Sequence, residues 1–430
     1  MIATIIISAI TFIGVTLSIL FFPRIKLGRF QIPTYWMIAL LGAIVLLATN
    51  LAPIKEVFTE LTNNSPVNPL KIIVLFFSMT VLSIFLDEVG FFKYLAHLAT
   101  KKAKNNQFIL FTVFFALTAA LTVFTSNDIV ILTFTPFICM FCKNTKINPV
   151  PYLVAEFAAA NTWSLMLLIG NPTNIYLATS EQIGFFDYFK VMALPTLCSG
   201  IVEYGLLLLL FHRKLKEPLQ IVDEEVQIES KSSLIIGLVH LVVCLIFLVV
   251  SNYINVEMWL VSLICASSLL IIITVMNLIR KKYWNYLTGS LKKLPYPLIP
   301  FFLSMFVIVV ALNHQGIAAN IRELLGNSYN IFTYGASSFV VSNLINNIPM
   351  SILFSNICPN KASVFAAIVG SNIGAILTPT GALAGIMFIN LVNEHDTKYT
   401  FVEFIKNGVI VSIPVILTAL GILALTVNFY

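Results

Sequence analysis

Charge is what this chain has least of: Asp, Glu, Lys and Arg make up only 10% of its 430 residues. A soluble domain carries about a quarter charged residues, so a water-soluble enzyme or binding module is excluded. The acids number 19 against 25 Lys and Arg, but the net charge of +6 is not that of a nucleic-acid-binding surface. Its basic residues fall in short clusters between apolar runs, where they act as topology signals. Histidine is scarce as well. The five, His97, His212, His240, His314 and His395, share no metal-like spacing, so no metal site is expected. Of Cys139, Cys142, Cys198, Cys244, Cys265 and Cys358, five lie inside apolar runs, where a disulfide framework has no role. Cys139-x-x-Cys142 has a redox or metal spacing without a second pair or a nearby His, and reads as packing. No nucleophile and base pair and no phosphate loop stands in a polar segment, so neither an enzyme nor a cofactor is expected.

What the chain has instead is apolar length. With 59% hydrophobic residues and a mean hydropathy of +0.95, it reads as a polytopic membrane protein. The first apolar run lacks a basic leader and an evident small-residue cleavage site, and is expected to be a span rather than a removed signal. Taking about 20 residues per crossing, ten spans are expected at 2–22, 34–52, 70–86, 150–170, 189–211, 234–251, 257–279, 297–313, 362–380 and 403–428. Two further stretches, 107–142 and 329–357, carry a polar break near the middle. Their second arms, 129–142 and 348–357, are shorter than a crossing, and both stretches are expected to be re-entrant hairpins.

Charge then orients the spans. With Arg24, Lys26 and Arg29 placed inside the cell, all but five of the 25 Lys and Arg fall inside, the exceptions being Lys55, Lys71, Lys190, Arg322 and Lys361. The N-terminus is then outside the cell membrane, and the flanks of the two hairpins face opposite sides. The expected fold is all-α, with two inverted repeats at 1–211 and 234–430, each of five spans, one of them interrupted, and one hairpin. The interrupted spans lie at 150–180 and 362–393, and amphipathic surface segments at 87–100 and 314–327. Residues 212–233, with Asp223, Glu224, Glu225 and Glu229, form the cytoplasmic linker.

The polar breaks recur in matching order. The first half has Ser126-Asn127-Asp128, then Asn161, then Gly170-Asn171-Pro172-Thr173-Asn174; the second has Asn346-Asn347-Ile348-Pro349, then Asn372, then Thr378-Pro379-Thr380-Gly381-Ala382. Asn161 precedes Gly170 by nine residues, as Asn372 precedes Gly381. Paired interruptions of this kind mark the binding site of repeat-built secondary transporters, so these residues are the candidate substrate and ion site. Helix N-termini at the breaks suit oxyanions or hydroxyl-rich solutes, while C-termini and unwound carbonyls suit cations or protons. The side chains of Asn161, Asn171, Asn174, Asn346, Asn347 and Asn372 can both donate and accept, which fits a polyhydroxyl solute or an anion; interhelical glue accounts for one or two of them but not for six at matched breaks. Asp128, at the first tip, is the candidate carrier of a coupling proton or cation and also an N-cap, with Asn347 as its expected counterpart. Glu156, five residues before Asn161, is a candidate for the proton path, with a paired structural acid as the alternative. Glu203 has Tyr204 and Ser199 as local partners, and its role is open between transport and a paired structural acid.

Leu86-Asp87-Glu88-Val89-Gly90-Phe91-Phe92, Asn127-Asp128 with Leu132-Thr133-Phe134-Thr135-Pro136, and Asn171-Pro172-Thr173-Asn174 together resemble the arsenical pump membrane protein family of the ion transporter superfamily. Asn346-Asn347-Ile348-Pro349 and Leu377-Thr378-Pro379-Thr380-Gly381-Ala382-Leu383-Ala384 follow in order, and the likeness runs from about Arg24 to the C-terminus. The resemblance implies an exporter of arsenite and antimonite, working as a proton antiporter or with a cytosolic ATPase subunit. It points to Ser126, Asn127, Asp128, Gly170 to Asn174, Asn346, Asn347 and Thr378 to Gly381. Ser371-Asn372 stands where the arsenite exporters are expected to have Cys-Asp, and Gly170-Asn171 where they are expected to have Ser-Asn. The expected function is proton-coupled efflux of arsenite, antimonite or a related small oxyanion. The alternatives are a sodium-coupled citrate or dicarboxylate carrier and a sodium/proton antiporter. A membrane-embedded enzyme using Asp128 and Glu156 as paired acids has no other support, and a channel fits hairpins at a closed midplane site poorly. The expected partners are the substrate, the lipid bilayer and no nucleic acid; a homodimer stays open, and the only cofactor is the coupling proton or sodium ion.

Overall fold

The computed structural model describes the chain apart from residues 23, 28–29, 65–67, 104–105, 219–227, 229, 252, 281–283, 327–330, 396, 398 and 428–430. Arg29 and the linker acids Asp223, Glu224, Glu225 and Glu229 therefore lie outside the described residues. The first half consists of α1 (Ile2–Phe21), α2 (Tyr35–Ala48), α3 (Ile54–Thr62), α4 (Pro69–Glu88), α5 (Phe91–Ala103), α6 (Gln107–Phe124), α7 (Asn127–Thr145), α8 (Val150–Trp163), α9 (Pro172–Ser180) and α10 (Phe185–Phe211). The second consists of α11 (Lys231–Val250), α12 (Met258–Arg280), α13 (Trp284–Lys292), α14 (Leu298–His314), α15 (Ile317–Leu325), α16 (Ile331–Ile345), α17 (Asn347–Ile357), α18 (Lys361–Gly374), α19 (Leu383–Glu394) and α20 (Phe401–Thr426). Short 3₁₀ turns, Leu168–Gly170 and Pro379–Gly381, separate α8 from α9 and α18 from α19. Two short strands, β1 (Arg24–Leu27) and β2 (Phe30–Pro33), pair antiparallel between α1 and α2, with Ile25 opposite Ile32.

The helices follow from solvent. In hydrocarbon each N–H and C=O must be satisfied within its own segment, which a helix does. The ends are closed by side chains: Asn68 accepts from the N–H groups of Leu70 and Lys71, Asn106 from Phe108 and Ile109, Asn360 from Ser363, and Thr400 with Glu403 forms a capping box. Eight helices (α1, α4, α6, α7, α10, α11, α12 and α20) are long and apolar enough to cross a membrane among the described residues. A ninth is reached if α14 and α15, bent by 79° around Gly316, count as one. The chain is a multi-pass membrane protein.

Several expectations need correction. The second arm of the first hairpin is not too short to cross: α7 runs 19 residues, because its helix continues past Lys143 to a left-handed cap at Lys146, whereas α17 has only 11. Asp87 and Glu88 finish α4 rather than opening a surface segment, and α5 starts at Phe91. The spans expected at 34–52 and 297–313 are helices of only 14 and 17 residues. Neither the strands nor the short helices α3 and α13 were expected from the apolar runs.

Packing is reciprocal between the halves. Helix α4 lies on α12 and α14 on α2; α7 lies on α19 and α17 on α9; α10 lies on α20. Helices α8 and α18 are buried at the centre. Close approach there uses small residues: a Cβ on Gly370 would sit 2.0 Å from Ser338 Oγ and 2.1 Å from the Gly335 carbonyl of α16.

Ion pairs tie both ends of α4 to the second half. Lys71 Nζ is 2.5 Å from Glu257 Oε2, just before α12, and Lys293 Nζ, just after α13, is 2.8 Å from Asp87 and 2.6 Å from Glu88. Burial pushes the Glu257 carboxyl up, but hydrogen bonds from Lys71 and Trp259 outweigh it and hold the pKa below its ordinary value. A lowered carboxylate pKa stabilises the fold above the unfolded value, and the contribution is lost as pH falls through the folded one. Glu257→Gln is therefore expected to cost about 0.5 kcal/mol at neutral pH, a small amount because the pair is half exposed. In thermal melts of the detergent-purified protein this difference vanishes in acid; a difference that persisted there would contradict the pairing.

Candidate functional site

The first tip breaks at Thr125 and Ser126, and α7 starts with Ser126 as its cap. Asn127 Oδ1 accepts from the Asp128 N–H, and Asn127 Nδ2 donates to Asn161 Oδ1 at 3.1 Å. Asn161, two residues from the end of α8, donates to the Phe157 carbonyl at 2.8 Å. Ser164 Oγ lies 2.7 Å from both the Asn161 carbonyl and Asn372 Oδ1, and so donates to one at a time. Asn372, on α18 of the other half, accepts from Asn171 Nδ2 at 2.9 Å and donates to Asn174 Oδ1 at 2.6 Å. Asn174 Nδ2 returns to the Ser164 carbonyl at 2.8 Å, closing a ring across the two broken spans. Thr173 and Ser371 approach at 3.5 Å beside it. All these side chains are buried.

Local sequence explains the turn. Pro172 occupies the first position of α9, where no N–H is needed, and Asn171 caps the Thr173 N–H. Gly170 is required because a Cβ there would lie 2.2 Å from the Ser164 carbonyl.

The second tip is built differently. Asn346 takes φ 74° and ψ 154°, accepts from the Ile348 N–H and donates to the Thr380 carbonyl at 3.0 Å. Thr378 Oγ1 donates to Asn343 Oδ1 at 2.6 Å, and Asn343 Nδ2 donates to the Gly374 carbonyl at 2.9 Å. A Cβ on Gly381 would sit 2.8 Å from Asn343 Oδ1. Pro379 is buried in the turn, and Asn347 is buried with Oδ1 unpartnered among the described residues.

The sixteen candidate residues thus divide. Asn127, Asn161, Asn171, Asn174 and Asn372 share one network; Asn346, Thr378 and Thr380 share a second; Asp128 and Asn347 join neither through their side chains. Asp128 instead lines a separate cavity of about 220 Å³ with Tyr35, Thr80, Lys293, Arg24 and Asn390. Its carboxyl has no hydrogen bond or ion pair with another described residue, whereas Lys293 is held by Asp87 and Glu88, and Arg24 by Glu394 at 3.2 Å. A second cavity, about 340 Å³, lies toward the other end of α4 and is lined by Asn64, Lys71, Thr179, Gln182, Glu257 and Trp259.

Two sequence expectations change, the counterpart of Asp128 and the partners of Glu203. Matching the helix starts puts Asn347 opposite Asn127, so the counterpart of Asp128 is Ile348. Glu156 reaches across to α7, with both oxygens about 3 Å from Thr135 Oγ1 (2.9 and 3.0 Å). Glu203 accepts from Thr162 at 2.7 Å, while Tyr204 bonds Thr112 and Ser199 bonds its own helix. Ser164 and Asn343 went unmarked, although each stands three residues from a marked Asn, one helical turn away.

The backbone at Asn346, with positive φ and extended ψ, lies in a region that favours glycine and is costly for a residue with a Cβ, by about 1–3 kcal/mol. Asn346→Ala loses the Thr380 hydrogen bond and keeps the strain, while Asn346→Gly loses the bond and relieves it. Thermal melts should place the Ala variant several degrees below the Gly variant; equal melting temperatures would show that the tip is unstrained.

A family model described as a citrate transporter (CitMHS) matches residues 25–364. An arsenical pump membrane protein of Escherichia coli is 23% identical over 424 residues, covering 91% of this chain and 93% of the relative. A second from Escherichia coli is 26% identical over 385 residues, covering 82% and 86%. A putative arsenical pump membrane protein of Bacillus subtilis is 24% identical over 416 residues, covering 87% and 90%. The fold is similar to the crystal structure of the YdaH transporter of Alcanivorax borkumensis, with a TM-score of 0.54, 16% identity, and coverage of 99% and 98%. The chain therefore belongs to the citrate transporter (CitMHS) family and is similar over most of its length to the arsenical pump membrane proteins.

Proposed function

We propose that the chain is a secondary active transporter that moves arsenite or antimonite out across the cell membrane in exchange for protons. The observation that carries this reading is the ring in which Asn372 of one broken span holds Asn171 and Asn174 of the other. Arsenite at neutral pH is the uncharged triol As(OH)₃, whose hydroxyls donate and accept as the ring amides do. Each amide bond in the ring is worth about 0.5–1.5 kcal/mol net, so substrate hydroxyls replace these bonds at little cost. Opening the ring on alternate sides, with the two halves inverted in the membrane, gives alternating access. The reciprocal packing of α7 on α19 and α17 on α9 fits such a symmetry.

Asp128 carries the coupling proton in this reading. It is the acid on the cavity wall, no cation among the described residues engages it, and the second tip has Ile348 at the matching place. The relatives' names support arsenite, while the family description favours citrate or a dicarboxylate as the second reading. Against a dicarboxylate stands the ring itself: its described side chains are neutral amides and hydroxyls, so two carboxylates would enter with no described cation among the ring residues.

Everted vesicles from cells expressing the chain test the proposal, with proton and sodium gradients imposed separately. Accumulation of arsenite driven by an inside-acid gradient and indifferent to sodium is expected. Citrate uptake driven by sodium, with no arsenite uptake, would replace this reading by the second.

A further inference from the structure

The end of α8 carries two residues of the amide network, Asn161 and Ser164, and between them in sequence stand Thr162 and Trp163. At about 100° per residue, Asn161 and Ser164 fall about 60° apart on one face of the helix, which leaves Thr162 and Trp163 on the opposite side. That side meets α10. Thr162 donates to Glu203 Oε1 at 2.7 Å, and a Cβ on Gly200, one turn before Glu203, would lie 2.7 Å from the Trp163 ring. Glu203 is fully buried, eight residues or about 12 Å from the end of its span. Among the described residues its Oε2 has no hydrogen-bond partner and no cation pairs with it. The titratable groups on the helices packed against α10 are otherwise placed: Tyr152 and Glu156 of α8 bond Gln107 and Thr135, Cys244 and His240 of α11 bond Met79 and Ser268, and Lys231 of α11 with Glu403 and Lys406 of α20 stand in the first two turns of their helices. On α10 itself, Lys190 pairs with Asp187 near the opposite end. A carboxylate at 203 would be an uncompensated charge inside the bilayer, whereas the protonated acid leaves one hydroxyl unpaired, a far smaller penalty.

We propose that Glu203, held as a neutral acid, is a positioning residue for substrate binding: together with Gly200 it clamps Thr162 and Trp163 and so sets how Asn161 and Ser164 face the solute. The inference rests on the transport reading above and adds a residue outside the ring to it. The network and the clamp grip one turn of helix from opposite faces. Because α8 ends at Trp163, that turn has no following helical residues to hold it and depends on contacts from the side. Glu203 also differs in kind from Asp128. It lines neither of the two cavities described above, so a proton on it has no route to water through them.

The test measures arsenite exchange and proton-driven accumulation in proteoliposomes of the full-length chain, with rates taken per folded transporter. Thr162→Val and Glu203→Leu, which each remove one side of the hydrogen bond, should raise KM for exchange about two- to tenfold, the worth of one such bond, and keep the maximal rate. Combining them should raise KM no further than either does alone, because both remove the same contact. Glu203→Gln, which still offers Thr162 an acceptor, should restore both KM and accumulation. An unchanged KM in Thr162→Val and Glu203→Leu would overturn the proposal, whether or not the maximal rate fell with the melting temperature. Loss of accumulation in Glu203→Gln with exchange retained would make Glu203 a proton carrier and overturn it as well. A wild type that moved no arsenite would sink the transport reading instead, and the same comparison would then be run with citrate. Infrared spectroscopy reads the acid without any substrate: the wild type minus Glu203→Gln difference at neutral pH should contain the carbonyl band of a protonated carboxylic acid, and a carboxylate band in its place would overturn the inference.

Discussion

A peptide group that leaves a helix inside hydrocarbon must find its hydrogen bonds in protein, and this chain leaves its helices at four central places. The two tips, before Asn127 and before Asn347, and the two turns, Leu168–Gly170 and Pro379–Gly381, each need partners that the local helix cannot supply. The solution joins the halves. Asn372 satisfies Asn171 and Asn174 across the interface, and Asn346 reaches the Thr380 carbonyl. Remove these amides and the breaks would be unstable; keep them and a polar patch sits in the middle of an apolar protein. The site is thus a consequence of the breaks, and glycines at 170 and 381 let the backbone close around it.

Around this centre the charges are disposed economically. The ion pairs at the two ends of α4, a helix about 30 Å long, bind the first half to the segment around α12 and α13. With Lys293 and Arg24 engaged, Asp128 is left facing its cavity unengaged by a described residue. An acid of that kind can change its charge without breaking a structural bond, which suits a coupling role. Glu156 and Glu203 are the contrast, each tied by a threonine of a neighbouring helix.

The sequence made the breaks legible because polar side chains in an apolar run stand out, and the nine-residue spacing related one half to the other. It could not reveal which amide meets which. Asn161 and Asn372 occupy equivalent positions, yet Asn161 pairs with Asn127 and Asn372 with Asn171 and Asn174, because the residues matching the latter two are Ala382 and Gly385. Ser164 and Asn343 were invisible for a related reason: a single serine or asparagine in a helix is ordinary until its partner from a distant segment is known. The length of α7 was misjudged because Lys143 and Asn144 ended the apolar count without ending the helix. Four-residue strands, and the amphipathic nine-residue helices α3 and α13, lie below what apolar runs resolve.

The account separates substrate recognition by the amide ring from proton coupling at Asp128. The most direct measurement is to compare arsenite exchange with proton-driven arsenite accumulation in proteoliposomes containing Asp128→Asn or Asn372→Ala. The account predicts that Asp128→Asn retains exchange and loses accumulation, whereas Asn372→Ala loses both. Proton-driven accumulation by Asp128→Asn at the wild-type level would contradict it.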